Sequence, residues 1–499
     1  MSALTSLARA HAVQMGRALP ITTVRHVHIA RRPLVFVPLT MAGEANAPLA
    51  AMIGDDPDTP QLLIVPQPRD RSQRFDFAHS LALTVLHYVG SFSSSQETIP
   101  TRPGRAPKVR YADAPQLWVP NHAGIEFIRL FGRSTRFRST SGPYAVPLSV
   151  PMLGKWLTFF AERSERAGSS LLVAAADVLA RHWATGQSPV EDANLASIVG
   201  WIEPPPGLSG AAAAAIAEDP VTSPPAGPST DPSFDRVVLA PAIREYDKAA
   251  EQNAQRRVVA KLEAALRGQI EPTWHLMWRT IGLVRALPPG AHVTQRCAED
   301  RDQYTRYFEY VGGGGRPQPK RDSAVAAAIR LNELERYQAT YDAQRALDDP
   351  LIMADYRITG EAFVGTVIQA ELDRCTGIGR SRVLRPLITV HTEDPVRLSP
   401  GQANLRDGAR PNQTAEVIDV TAMQAGSQVV LELTGGMGRS RTPPEGSVPV
   451  LGDHVCYSTL SDGYQPRGTF PSRDNTPWTH GGPPLEPTAS QYEAREEWS

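Results

Sequence analysis

Two short segments of the chain share the pattern Gly-x-Gly-Arg-Ser-Arg, one from Gly377 to Arg382 and one from Gly436 to Arg441. Glycine lets backbone amides turn toward an anion, and an arginine fork can pair with two phosphate oxygens. Because strand-like stretches flank both segments, we expect both to be loops. The alternative is a chance repeat, since hairpin loops are commonly rich in Gly and Arg. The pattern predicts a nucleic-acid-binding surface with phosphate contacts from Arg380, Arg382, Arg439 and Arg441.

The first part of the chain carries a second cluster of arginines. Residues 1–140 hold 16 Arg and Lys against 9 Asp and Glu, whereas the remaining residues hold 35 against 43. Within this basic part, Arg133, Arg136 and Arg138 are predicted to form a second patch that neutralises phosphates. The alternative is an ordinary solvated surface, because the excess of arginine over lysine, 46 to 5, also fits a GC-rich genome.

Carboxylates around one predicted strand allow a hydrolytic interpretation. Asp55, Asp56 and Asp58 precede the apolar run from Leu62 to Val65, and Asp70 follows it. Carboxylates beside a strand can hold a divalent metal ion in a nuclease. No Glu-x-Lys follows at the next strand, however, and Asp-rich turns are far commoner than metal sites.

Other features narrow the class of protein. The three cysteines, Cys297, Cys375 and Cys456, are far apart and lack CxxC spacing, which fits a reducing cytoplasm better than a disulfide framework. No segment approaches the ~18 apolar residues of a membrane helix. The glycine run from Gly312 to Gly315 is not followed by Gly-Lys-Ser/Thr, so we interpret it as a hinge. We predict no catalytic residue, no metal and no cofactor.

The patterning predicts an α+β multidomain protein. It would have an N-terminal α/β domain, a helical middle and a small C-terminal antiparallel β-barrel. Four stretches in the last part are strand-like, residues 363–370, 387–391, 415–420 and 429–433. The expected divisions are an N-terminal extension (1–32), an α/β and helical domain (33–217), a linker (218–240), a helical stalk or bundle (241–349), the barrel (350–462) and a flexible tail (463–499).

The order of stalk and barrel resembles the accessory barrel region of superfamily 1 helicases of the nonsense-mediated-decay type. The resemblance covers residues 320–480 and rests on Phe363 to Val367, Pro395 to Gly401, Val417 to Val420 and Val429 to Leu433. In that family, the barrel touches nucleic acid and couples it to the motor. This chain lacks the family's Walker A motif, Asp-Glu box and motor helices, so no catalytic residue is carried over.

Three hypotheses about function follow. The first is a non-catalytic nucleic-acid-binding or helicase-accessory protein, working beside a separately encoded helicase or another protein. The second is a protein-interaction scaffold that uses the stalk and the Pro-rich segments. The third is a divergent metal-dependent nuclease that uses Asp55, Asp56 and Asp70.

Overall fold

A computed structural model describes residues 2–44, 47–100, 104, 106–377, 382–438, 442–463, 468 and 469. They form two compact units, an α/β unit centred on residues 5–338 and a barrel unit centred on residues 339–463. The predicted fold class is confirmed, because an α/β region comes first and a closed antiparallel barrel comes last. Among the described residues, no helix combines the length and apolar content that crossing a membrane requires.

Helices and strands alternate through the α/β unit. The helices are α1 (Ala3–Met15), α2 (Arg71–Ser91), α3 (His122–Thr135), α4 (Ser149–Ser164), α5 (Ala175–His182), α6 (Leu195–Ile202), α7 (Gly210–Glu218), α8 (Pro232–Phe234), α9 (Ala240–Lys248), α10 (Gln252–Arg285), α11 (Val293–Gly312) and α12 (Ala324–Asp348), within which the boundary between the units falls. The strands are β1 (Leu19–Pro20), β2 (Leu34–Thr40), β3 (Pro48–Gly54), β4 (Gln61–Ile64), β5 (Gln96–Ile99), β6 (Lys108–Tyr111), β7 (Leu117–Val119), β8 (Leu172–Ala174) and β9 (Trp183–Ala184).

A five-stranded mixed sheet is the centre of the α/β unit. Its order is β4-β3-β2-β7-β8, with β3 antiparallel to its two neighbours and β2, β7 and β8 mutually parallel. All seven residues of β2 are buried, which is expected of a strand covered on both faces. Phe36 contributes to the core on one face, and Val35 and Val37 contribute to the core on the other. The sheet therefore needs a helical layer on each side.

Helix α10 supplies one of these layers. Its buried side chains recur about every four residues, which places them on one face of the helix. That face packs on the sheet core containing Val35, Val37 and Met52, and Trp274 is fully buried there. The predicted stalk, residues 241–349, therefore differs from the structure, because α10 is a covering layer of the α/β unit. A one-sided apolar stripe is compatible with a stalk helix and with a covering layer. The strands that α10 covers lie about 200 residues earlier in the sequence, so the sequence pattern of α10 does not show them.

Helix α11 packs against the core on the other face together with α2, α3 and α4. Tyr304 is fully buried and donates its hydroxyl proton to the carbonyl oxygen of Val89 at 2.7 Å. Beyond α11, the predicted hinge at Gly312 to Gly315 is anchored, because Lys155 donates from Nζ to the carbonyl oxygen of Gly315 at 2.7 Å. The glycines therefore end a helix in this structure.

The predicted linker, residues 218–240, also packs within the α/β unit. Thr230 donates its backbone N–H to the carbonyl oxygen of Thr40 at 3.0 Å, and Ser229 forms a parallel bridge with Thr40. Asp235 accepts a hydrogen bond from the backbone N–H of Ala42 at 2.9 Å. The Pro/Ser/Thr-rich composition suggested a linker, but the segment finds backbone partners at the end of β2.

The ends of the chain differ in how much is described. In the predicted N-terminal extension, Leu19 of β1 pairs with Ala184 of β9, so residues near the start belong to the α/β unit. Of the predicted tail, residues 463–499, only 463, 468 and 469 lie within the described residues.

Asp300 on α11 joins that helix to the segment before β8. Its carboxylate accepts hydrogen bonds from the backbone N–H of Ser170 and the hydroxyl of Ser169, each at 2.7 Å. Burial raises the pKa of Asp300 from 3.8 to about 6. The folded protein therefore binds more protons than the unfolded chain between about pH 4 and 6, so the free energy of unfolding falls as pH rises through that window.

We expect Asp300→Asn to stabilise the protein above about pH 6, by up to about 3 kcal/mol, and to remove this pH dependence. Asp302→Asn is the matched control. Burial opposes ionisation of Asp302, but hydrogen bonds from Lys108 and Arg110 outweigh it and lower the pKa of that carboxyl. The ionised Asp302 carboxylate therefore stabilises the fold at neutral pH, and Asp302→Asn should lower the free energy of unfolding there. Urea unfolding at pH 4 and pH 8 measures the free energy of unfolding of both variants. If both variants changed it in the same direction at pH 8, the raised pKa of Asp300 would be contradicted.

The barrel unit contains one further helix and a closed six-stranded barrel. The elements are α13 (Pro350–Thr359), β10 (Ala362–Glu371), β11 (Cys375–Thr376), β12 (Val383–Leu384), β13 (Leu387–Thr392), β14 (Leu405–Asp407), β15 (Arg410–Ala422), β16 (Ser427–Gly435) and β17 (His454–Ser458). The barrel order is β10-β13-β16-β15-β14-β17, and every pairing is antiparallel. Phe363 and Tyr457 are fully buried in its core.

Candidate functional site

The two Gly-x-Gly-Arg-Ser-Arg segments emerge from the same end of the barrel. Leu387, at the start of β13, pairs with Glu371 near the end of β10 and with Glu432 near the end of β16. Residues 372–386 follow β10 and residues 436–453 follow β16, so both segments extend from this end. Adjacent strands lie about 4.8 Å apart, which puts the origins of the two segments about 10 Å apart across β13. We call residues 372–386 and 436–453 the arginine rim.

The first segment is carried by a short two-stranded ribbon. Strands β11 and β12 pair through Cys375 with Leu384 and Thr376 with Val383. At its base, Arg374 donates to the carboxylate of Glu432 and, at 2.9 Å, to the carbonyl oxygen of Arg385. These contacts join the ribbon to β16 and fix the chain on both sides of the first segment.

The second segment leaves β16 through two glycines in left-handed backbone conformation. Gly436 has φ of +80°, and an added Cβ there would lie 2.3 Å from the carbonyl oxygen of Asn412. Only glycine fits that position without a backbone shift. At the other end of the connection formed by residues 436–453, Arg410 pairs with Asp453 at 2.9 Å and with Asp407 at 2.7 Å. The described residues at both ends of this connection are therefore held.

Of the four predicted rim contacts, Arg382 is described and its side chain is exposed. Arg380, Arg439 and Arg441 lie outside the described residues. In sequence, the rim holds six arginines against Asp373, Glu445 and Asp453, a surplus of three positive charges. The connections at the opposite end, residues 393–404 and 423–426, hold one arginine against two acids. The connections at the rim are thus basic, and those at the opposite end are slightly acidic.

The predicted second patch does not present three arginines to solvent. Arg133 is exposed on α3, but Arg136 is 6% exposed, and burial lowers its pKa. Arg136 donates to the carbonyl oxygens of Gln318 at 3.0 Å and Pro319 at 2.9 Å. Arg138 donates to the carbonyl oxygen of Ser134 at 2.9 Å. Arg136 and Arg138 therefore hold backbone segments in place.

The carboxylates of the nuclease hypothesis are separated and already engaged. Asp55 pairs with Arg32 at 3.1 Å, and Asp56 accepts the backbone N–H of Asp58 at 2.8 Å. Asp70 caps the N-terminus of α2, at the opposite end of β4 from the other two. Within the part of the chain that the structure describes, no three His, Cys, Asp or Glu side chains form a group that could hold a metal ion.

Two of the three cysteines, Cys297 and Cys456, are not activated as nucleophiles. Burial raises the pKa of Cys297 and of Cys456 to about 11, so both are protonated at neutral pH.

The crevice at the carboxyl end of β2, where ligands often bind in open α/β sheets, is occupied by the chain's own residues around Thr230.

Sequence reasoning missed the residues that hold the rim. Glu432 lies in the strand-like stretch 429–433, and Arg374 and Arg385 lie outside the repeated pattern. The available signal was their position, because Arg374 and Arg385 lie on either side of the first segment. An outward carboxylate on a neighbouring strand was needed to show their role.

No protein-family model, no curated protein and no solved structure matches the chain.

Proposed function

We propose that this protein is a non-catalytic nucleic-acid-binding protein whose arginine rim contacts the phosphate backbone. The resemblance of the barrel to a helicase accessory barrel extends the proposal to work beside a separately encoded helicase. The observation that carries the proposal is the emergence of both Gly-x-Gly-Arg-Ser-Arg segments from one end of the barrel, on either side of β13.

Two arginine segments at one end can contact successive phosphates of a single ligand. Gly377 of the first segment and Gly436 and Gly438 of the second have left-handed backbone, and each segment carries two arginines, a combination suited to anions. The ion pairs of Arg374 with Glu432 and of Arg410 with Asp453 fix residues that flank the segments along the chain.

The rim is suited to reading the backbone and not the bases. Residues 372–386 and 436–453 contain no Phe, Tyr, Trp or His, so the rim has no ring on which a base could stack. Neutralising a phosphate of duplex DNA also releases more counterions than neutralising one on a single strand. The number of counterions released per phosphate is about 0.9 for the duplex and about 0.7 for the single strand. We therefore expect binding that is insensitive to sequence and stronger for a duplex than for a single strand.

A single charge reversal on the rim tests the proposal. Arg382→Glu should weaken binding of labelled duplex DNA by about tenfold at low salt, because it removes one charge-assisted contact and adds a repulsion. Fluorescence anisotropy measures the affinity.

The matched control is Arg397→Glu at the opposite end of the barrel. Arg397 is also exposed, so the two variants change net charge equally. We expect the control to stay within about twofold of the unmodified protein. Equal losses in both variants would mean that the rim has no special role, and unchanged binding by Arg382→Glu would contradict the proposal.

A further inference from the structure

A cleft of about 720 Å³ lies between α9 and α10, away from the barrel unit in sequence. Its lining includes Arg244, Glu245 and Lys248 from α9, and Arg257 and Val258 from α10. The volume falls within the range of small-molecule sites, about 300–1,000 Å³.

Three cations face this cleft without acidic partners. Arg244 and Lys248 are four residues apart on α9 and so lie on one side of that helix, and Arg257 comes from α10. Among the described residues, no ion pair or hydrogen bond engages any of the three side chains. The acid in the lining, Glu245, pairs with Lys261 at 3.1 Å.

The lining therefore carries three exposed positive side chains against one exposed acid. Like charges at i and i+4 destabilise a helix, and a third cation across the cleft adds to the repulsion. Exposed arginines of the same unit do pair with acids where one is in reach, as Arg279 pairs with Glu203. An anion placed between α9 and α10 would remove the repulsion and bring in charge-assisted hydrogen bonds.

We infer that this cleft binds a phosphorylated ligand whose phosphate groups together carry more than one negative charge. Arg244, Lys248 and Arg257 contact the phosphate oxygens, and an apolar portion of the ligand lies on Val258. The same chemistry is offered by a free phosphorylated small molecule and by a nucleic-acid backbone. The inference is independent of the barrel, since every lining residue belongs to the α/β unit.

The test uses the chain's own lysines as local reporters. The full chain has only five lysines, and Lys248 lines the cleft. Amine acetylation followed by mass spectrometry, with and without inorganic tripolyphosphate, measures the labelling rate of each lysine separately. The rate at Lys248 reports occupancy of the cleft. We expect tripolyphosphate to slow labelling of Lys248 and to leave Lys108, which pairs with Asp302, unchanged.

Two neighbouring variants separate the cleft from general charge. Arg257→Glu should raise the tripolyphosphate concentration for half-protection by about tenfold. Arg256→Glu makes the same charge change at an exposed arginine that does not line the cleft, and should shift it by less than about twofold. Unprotected Lys248 in the unmodified protein, or protection that survives Arg257→Glu, would overturn the inference.

A second arm identifies the source of the phosphate. Duplex DNA replaces tripolyphosphate in the same labelling experiment. Protection of Lys248 by DNA would assign the cleft to a nucleic-acid backbone. Protection by tripolyphosphate alone would assign it to a free phosphorylated small molecule.

Discussion

Reversing one arginine in each rim segment, as in Arg382→Glu with Arg441→Glu, is expected to weaken duplex binding by about 100-fold. Each charge-assisted contact contributes about 1.5–3 kcal/mol, and the two arginines come from different segments that share one ligand. The slope of log affinity against log salt should also decrease in magnitude by about two, because two phosphate contacts are lost. Anisotropy at several salt concentrations measures both effects.

The single variants provide the comparison for this double variant. If both segments contact the ligand, Arg382→Glu and Arg441→Glu each cost about tenfold and their losses add. A double variant that binds no more weakly than Arg382→Glu would show that only one segment is used. The proposal of a two-segment site would then be wrong.

Replacing Trp274 on α10 with alanine is expected to lower the free energy of unfolding of the α/β unit by about 3–5 kcal/mol. Trp274 is fully buried against the sheet, and its indole Nε1 donates to the carbonyl oxygen of Pro57 at 2.9 Å. The variant leaves a cavity and an unpaired carbonyl. A helix of an extended stalk would lose far less, so urea unfolding distinguishes a covering layer from a stalk.

The control for Trp274→Ala is the next residue on the same helix. His275 is exposed, and His275→Ala should change the free energy of unfolding by less than about 0.5 kcal/mol. A similar small change for Trp274→Ala would contradict the packing of α10 on the sheet.

The barrel could be predicted because its signals are local. Alternating apolar residues and glycine-rich turns mark β10, β13, β15 and β16. The stalk could not be told from a covering layer, because the stripe on α10 finds its partner strands far away in sequence. The burial of Arg136 has the same cause, since its acceptors at Gln318 and Pro319 come about 180 residues later.

The shared end of the two arginine segments depended on a strand that sequence patterning missed. With only four strands in alternation, the segment after the first and the segment after the fourth would lie at opposite ends. The three-residue strand β14, Leu405–Asp407, adds one more reversal and brings both segments to the same end. Three residues are too few for a periodic pattern to register.

The most direct test of the central claim is a salt series on the unmodified protein with labelled duplex and single-stranded DNA of several sequences. If Arg380, Arg382, Arg439 and Arg441 each neutralise one phosphate, log affinity for duplex falls linearly with log salt, with a slope of roughly −3 to −4 between about 50 and 200 mM salt. We also expect equal affinities across sequences. Affinity that is absent at low salt, or that does not change with salt, would contradict it.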